Sequence, residues 1–214
     1  MYELIILSLL MRGPIHGYLI SKFINDIIGP VAKVSHGWLY PRLAKLQEED
    51  LIVAAVEAKE KQQGQRQLRT YEITEAGRKR FHQLMMDTTS NPGEYPKYFW
   101  QKACFFEYVH PSERLHLIDH YINYCQTHIL HLKAQAKNLV EGEMQYHVMN
   151  LTQLEATLHV LRRSTSQWQV DLEYANSLRE KEMARALSET TSTSLHSDEK
   201  AAEAAFLNAH RYNT

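Results

Sequence analysis

Apolar residues crowd the first turns of the chain and then settle into helical spacing. The stretch "ELIILSLLMRG" (3–13) is apolar on nearly every side, so it reads as a short buried helix, stopped by Gly13 and Pro14. In "HGYLISKFINDIIG" (16–29), Leu19, Ile20, Phe23, Ile24 and Ile27 recur at helical spacing before Gly29-Pro30 ends the segment. A third helix is predicted within "VSHGWLYPRLAKLQEEDLI" (34–52). Ser35 suits an N-cap, its hydroxyl accepting from a first-turn N–H. At ~100° per residue, Leu39, Leu43, Leu46 and Asp50 share a narrow arc, and the leucines form the buried stripe. Gly37, Pro41, Ala44 and Glu48 lie opposite, a nearly bare strip. His36 and Tyr40 flank it on one edge, Trp38 and Lys45 on the other. Pro41 inside a helix costs about 3 kcal/mol, so the regular helix is expected to begin near Trp38 or to bend at its start.

The period then changes. "LIVAAVEA" (51–58) is rich in β-branched residues, and "QLRTYEIT" (67–74) alternates with Tyr71 and Ile73 on one face. The polar, locally basic "KEKQQGQR" between them makes a hairpin with a loose tip. "TEAGRKRFHQLMM" (74–86) returns to helix with Thr74 as its cap. Three short helices, two strands and a helix are the layout of a winged helix-turn-helix. In such a module the third helix enters the DNA major groove, which is about 12 Å wide and admits a helix only where little bulk intervenes. Gly37, Pro41 and Ala44 permit that approach, while His36, Tyr40, Arg42 and Lys45 reach outward from the flanks. Lys59, Lys61, Arg66 and Arg69 of the hairpin become a wing against the phosphate backbone. A bland alternative is a surface helix with short side chains; the order of elements favours the groove-binding reading.

Three blocks, "ILSLLMRGPIHGYLISKFI", "VSHGWLYPRLAKLQEEDLIV" and "RTYEITEAGRKRF", resemble the PadR-type transcriptional regulators. The resemblance rests on His16-Gly17-Tyr18, on Gly37-x-x-Tyr40-Pro41-x-Leu43-x-x-Leu46 and on Tyr71-x-Ile73-Thr74-x-x-Gly77, which are specific taken together. It is strong over residues 1–86 and looser beyond, where it matches the longer branch of the family with a helical dimerisation domain. It implies a dimeric repressor, in several cases released from DNA by small aromatic ligands. The candidate DNA-binding residues are Tyr18, Ser35, His36, Gly37, Tyr40, Pro41, Arg42, Lys45, Lys59, Lys61, Arg66 and Arg69. Trp38 departs from expectation, being bulky for a base-reading surface.

Beyond a turn-rich joint the chain is helical again. Pro111 starts a long segment (110–144) in which Leu115, Ile118, Ile122, Cys125, Ile129, Leu132 and Leu139 hold a near-heptad stripe. A second (151–187) places Leu151, Leu154, Leu158, Leu161, Trp168 and Leu172 on one face. Two antiparallel helices with that much apolar stripe call for a second subunit. The expected fold is mainly α: a winged helix-turn-helix domain (1–87), a joint (88–94), a long-helix antiparallel dimerisation and effector domain (95–187) and a disordered tail (188–214). Phe99, Trp100, Phe105 and Trp168 are candidates for an aromatic effector pocket, or ordinary core.

Composition adds boundaries. Net charge is −1, yet residues 1–86 carry twelve Lys/Arg against nine Asp/Glu, and residues 87–214 carry twelve against sixteen. The excess over the first half suits an anionic partner; with the winged-helix layout the partner is expected to be double-stranded DNA, and a dimer with two recognition helices calls for an inverted-repeat operator. No apolar run approaches the ~20 residues of a membrane span, and "MYELIILSLLMRG" lacks a basic leader and cleavage site. Two cysteines, Cys104 and Cys125, fit a reducing cytoplasm. His116 and His120, then Cys125, His128 and His131, stand at metal-ligand spacings, but an exposed histidine-rich face is the better reading, so no metal or other cofactor is expected. No nucleophile elbow, phosphate loop or paired-carboxylate pattern indicates an enzyme. The competing function is a protein-interaction scaffold built on the same winged helix.

Overall fold

The structure is a computed structural model that describes residues 2–28, 34–56, 69–89, 92–141 and 150–210, with the side chains of the last helix described to residue 189. The chain forms two compact units, divided between His110 and Pro111. In the first, α1 (Tyr2–Met11), β1 (Ile15–His16), α2 (Gly17–Ile28) and α3 (His36–Glu48) precede β2 (Ile52–Val56), β3 (Arg69–Ile73) and α4 (Glu75–Met86). A 3-10 turn (Pro92–Glu94), α5 (Tyr95–Ala103) and a second such turn (Phe106–Tyr108) complete it.

The expected order of helix, helix, helix, strand, strand, helix is present. Residues Leu4 to Leu10 of α1 are all buried, as an all-round apolar helix must be. Ser8 fits among them because its hydroxyl donates to the Leu4 carbonyl at 2.6 Å. α2, β3 and α4 pack on this helix. The sheet has the order β1-β3-β2, antiparallel throughout. Ile15 and Ala54 both face Tyr71 across it. β1 was not expected, since two residues between Pro14 and Gly17 show no alternation.

α3 ends where Asp50 adopts a left-handed φ of 55°. Leu51 N donates to Leu46 O at 2.9 Å and Asp50 N to Gln47 O at 3.0 Å, the bond pair of a Schellman stop. Asp50 therefore closes the helix and does not extend the leucine arc. Thr74 fastens α4 to that stop. Its hydroxyl accepts from Gly77 N at 2.9 Å and donates to Asp50 O at 2.6 Å. A Cβ at Gly77 would sit 2.0 Å from Leu51 O, so the glycine is required by packing.

The aromatic segment 95–109 lies in the first unit, where the sequence reading opened the helical domain at 95. Phe81 meets Tyr108 edge-on at 6.2 Å. Arg12 lies 5.9 Å over the Phe105 ring and pairs with Glu107 at 3.7 Å. Lys102 is buried and donates to the Asp87 carbonyl; burial lowers its ammonium to about 8, against a smaller opposing effect of Asp87.

The second unit is α6 (Pro111–Glu141) and α7 (Leu151–His210). Arg114 pairs with Glu182 at 3.0 Å, Asp119 with Arg179 at 2.6 Å, and Tyr121 donates to Asp171 at 2.8 Å. The partner's number falls as the first rises, so the helices are antiparallel, as expected. α7 continues to His210 where a disordered tail from 188 was expected. No glycine or proline follows Gly142 in the chain, and Ser and Thr cost a helix only tenths of a kcal/mol each. Leu151, assigned to a buried face, is 79% exposed. Among the described residues no helix is long and apolar enough to cross a membrane.

Gly77→Ala is expected to destabilise the first unit by about 1–3 kcal/mol through overpacking, read as a lower urea midpoint at unchanged slope. Lys102 makes a second expectation. Between pH 8 and 10 the unfolded lysine keeps a proton that the folded one has released, so stability rises over that window. Lys102→Met should flatten that rise in pH-resolved denaturation.

Candidate nucleic-acid interface

Ser35 caps α3 in extended geometry, its hydroxyl accepting from Trp38 N at 3.3 Å. Leu39, Leu43 and Leu46 are buried beneath the helix. Gly37, Tyr40, Pro41, Arg42, Ala44 and Lys45 are exposed, which is the division the periodicity predicted. The helix runs from His36 with Pro41 inside it, so it neither waits for Trp38 nor excludes the proline. The backbone of His36 opens the helix; its side chain lies outside the described residues.

Among the described residues nothing requires a glycine at position 37. Nothing but the Ser35 hydroxyl, at 3.9 Å, would come near a Cβ there. Its backbone φ is not in the left-handed region. Gly17 is a contrast: a Cβ there would lie 3.1 Å from the Tyr71 ring and 3.3 Å from the Tyr40 ring. The His16-Gly17-Tyr18 pattern thus makes room for Tyr40, a role that sequence reasoning missed although both residues were in the motif. His16 is tied to Thr70 at 3.0 Å and stacks on Tyr18, with 6.0 Å between the rings. Tyr18 and Tyr40 are both about half exposed.

Trp38 turns away from the bare strip. Its ring meets Tyr2 of α1 edge-on at 4.4 Å, and the Arg42 guanidinium lies 3.6 Å over it. Arg42 also donates to the Trp38 carbonyl at 3.2 Å. The bulk that jarred with a base-reading surface is thereby held at the flank. Lys45 pairs with Glu49 at 3.7 Å across an exposed helical turn, a contact worth about 0.3–0.5 kcal/mol and readily exchanged. On the hairpin, Arg69 begins β3 and is exposed. Lys59, Lys61 and Arg66 lie outside the described residues.

The four effector candidates are divided between the units. Phe99 and Phe105 belong to the core of the first unit. Trp100 is half-buried and edge-on to Phe99 at 5.1 Å. Trp168, in the second unit, stacks on His128 at 4.5 Å. Burial, with a smaller effect of His131, holds that imidazole below its usual range. The Cys125 thiol is pushed up to about 11 by burial, which disfavours the thiolate a metal would need. Among the described residues no three His, Cys, Asp or Glu side chains gather to hold an ion.

Residues 6–83 match the family described as "Transcriptional regulator PadR-like family". A curated relative, the negative transcriptional regulator PadR of Bacillus subtilis (strain 168), is 24% identical over 136 residues, 63% of this chain and 72% of that protein. Similar solved structures include Bacillus subtilis PadR in complex with operator DNA, with a TM-score of 0.37 and 19% identity, covering 84% of this chain and 96% of that one. The same protein in complex with p-coumaric acid gives a TM-score of 0.34 at 19% identity, covering 84% and 94%.

Proposed function

We propose that this chain, whose residues 6–83 match the PadR-like family of transcriptional regulators, is a dimeric DNA-binding repressor. α3 is its recognition helix. One observation carries the reading: Gly37 and Pro41 sit together on an exposed helix face. The glycine costs about 1 kcal/mol relative to alanine and the proline about 3 kcal/mol. Among the described residues nothing but the Ser35 hydroxyl comes near the place of a Gly37 side chain, and an outside surface at close range would use both. Tyr40 and Lys45 edge that face, Arg42 lies beyond Lys45, and Tyr18 of α2 and Arg69 of β3 are exposed as well. The curated relative's name, a negative regulator, supports repression.

Dimerisation rests on the second unit. Ala175 is the single fully buried apolar residue among the described side chains of α7. Leu151, Val160, Val170, Tyr174, Met183 and Leu187 are apolar and exposed along α7, with Met183 and Leu187 one turn apart. A second copy covers the part of that surface around Met183 and Leu187. Release by a small aromatic ligand such as a phenolic acid is part of this reading; of the four aromatic candidates, Trp100 in the first unit and Trp168 in the second keep some exposure, while Phe99 and Phe105 are core of the first unit.

Opposite signs test the recognition helix. Gly37→Ala should raise stability by about 1 kcal/mol and yet weaken operator binding, while Gly37→Glu should abolish binding in a folded protein. Normal affinity in either variant, measured by anisotropy, sinks the assignment. Affinity should also fall steeply with salt through counterion release; a protein-interaction scaffold is indifferent to it. Met183→Lys combined with Leu187→Lys should give a folded monomer in sedimentation and an operator footprint reduced to single half-sites.

A further inference from the structure

A cavity of about 570 Å³ opens in the first unit beside α3. Such a volume lies in the range of small-molecule sites. Ile6 and Leu46, both nearly fully buried, make its floor together with Leu51, and Tyr2 forms a wall. Its charged lining is Arg42, Lys45 and Arg80 against Glu3 and Glu49. Both carboxylates are taken. Glu3 receives Arg80 at 2.7 and 3.4 Å, and Glu49 receives Lys45 at 3.7 Å. Among the described residues Arg42 meets no carboxylate. It spends one N–H on the Trp38 carbonyl and is held flat on the indole, with further donors of its planar fork unspent. An apolar floor below an oriented, unpaired guanidinium recognises a carboxylate or similar acid on an apolar body.

We propose that this cavity binds a small organic monoanion and that its occupancy lowers DNA affinity. The ligand acid takes a two-pronged bond from Arg42 and draws Lys45 from its weak pair with Glu49. Lys45 edges the bare strip of α3 and Arg42 lies one step beyond it, so the ligand competes with DNA phosphates for Lys45 at the edge and for Arg42 at the flank. This second step rests on the reading of α3 as the recognition helix. Neither Trp100 nor Trp168 is among the residues that line it.

Trp38 reports on the cavity, because Arg42 and Tyr2 both touch it. The test uses the full chain carrying Trp100→Phe and Trp168→Phe, which leaves Trp38 as the one tryptophan of three. The probe is 4-cyclohexylbutanoate, optically silent, with 4-cyclohexylbutan-1-ol as its neutral counterpart. Without DNA, the acid should change Trp38 emission saturably and bind at least roughly tenfold tighter than the alcohol, as a charge-assisted pair requires. Arg42→Gln should weaken the acid by at least about tenfold. Glu49→Gln, which frees Lys45, should tighten it several-fold. Equal binding of acid and alcohol, or an Arg42→Gln protein that binds the acid unchanged, overturns the site. In the second arm, the acid should weaken binding to a DNA sequence selected on the protein by about 5- to 150-fold. Saturable acid binding with unaltered DNA affinity overturns the competition. A protein that binds the acid as described but selects no DNA sequence leaves the site standing and sinks the recognition-helix reading.

Discussion

Seven consecutive residues of α1 are withdrawn from water, and the first unit is arranged by that demand. A helix with no polar face must be enclosed, each of its large side chains contributing about 1.5–3 kcal/mol when buried. α2, β3 and α4 supply the enclosure. α3 packs on α2 and β2 through its three leucines, and Tyr2 of α1 reaches the Trp38 ring. With its leucines so committed, α3 has one free face, and that face carries Gly37 and Pro41.

The recognisable residues of this sequence therefore do two kinds of work. Gly17, Tyr71, Thr74 and Gly77 are internal. Tyr71 is buried at the centre of the sheet, its phenol pushed up by burial with smaller opposing effects of Arg69. Thr74 and Gly77 lock α4 onto the stop that ends α3. Gly37 and Pro41 are exposed on α3, and Tyr40, half exposed, sets its ring against Gly17. A motif that looks uniform in sequence thus splits into a part that builds the helix platform and a part presented upon it.

What the sequence made legible follows from local rules. The leucine arc, the Ser35 and Thr74 caps and the strand pair are each set by neighbours a few residues apart. Contacts over longer separations were not legible. β1 exists because β3 offers Ile15 and His16 a second edge, and two residues carry no period of their own. The aromatic segment joined the first unit because Arg12 and Phe81, far back in the chain, hold Phe105, Glu107 and Tyr108. Trp38 could not be placed without Tyr2. Alternation and wheel arcs also say nothing of where a helix lacking stop residues will end, which is why α7 outran the expected boundary.

Arg114 carries a consequence for how the second unit can move. Its side chain is buried between Glu182 and Glu189 of α7, at 3.0 and 3.6 Å. Sliding α7 by one turn, ~5.4 Å, would strip those carboxylates away and strand a buried guanidinium, a loss of about 3–5 kcal/mol. Asp119 and Tyr121 would lose their partners in the same step. The helix pair is thus a ruler with a single permitted register. Whatever strains it feels, it transmits them as tilt or rotation of the whole pair, never as slippage of one rod along the other.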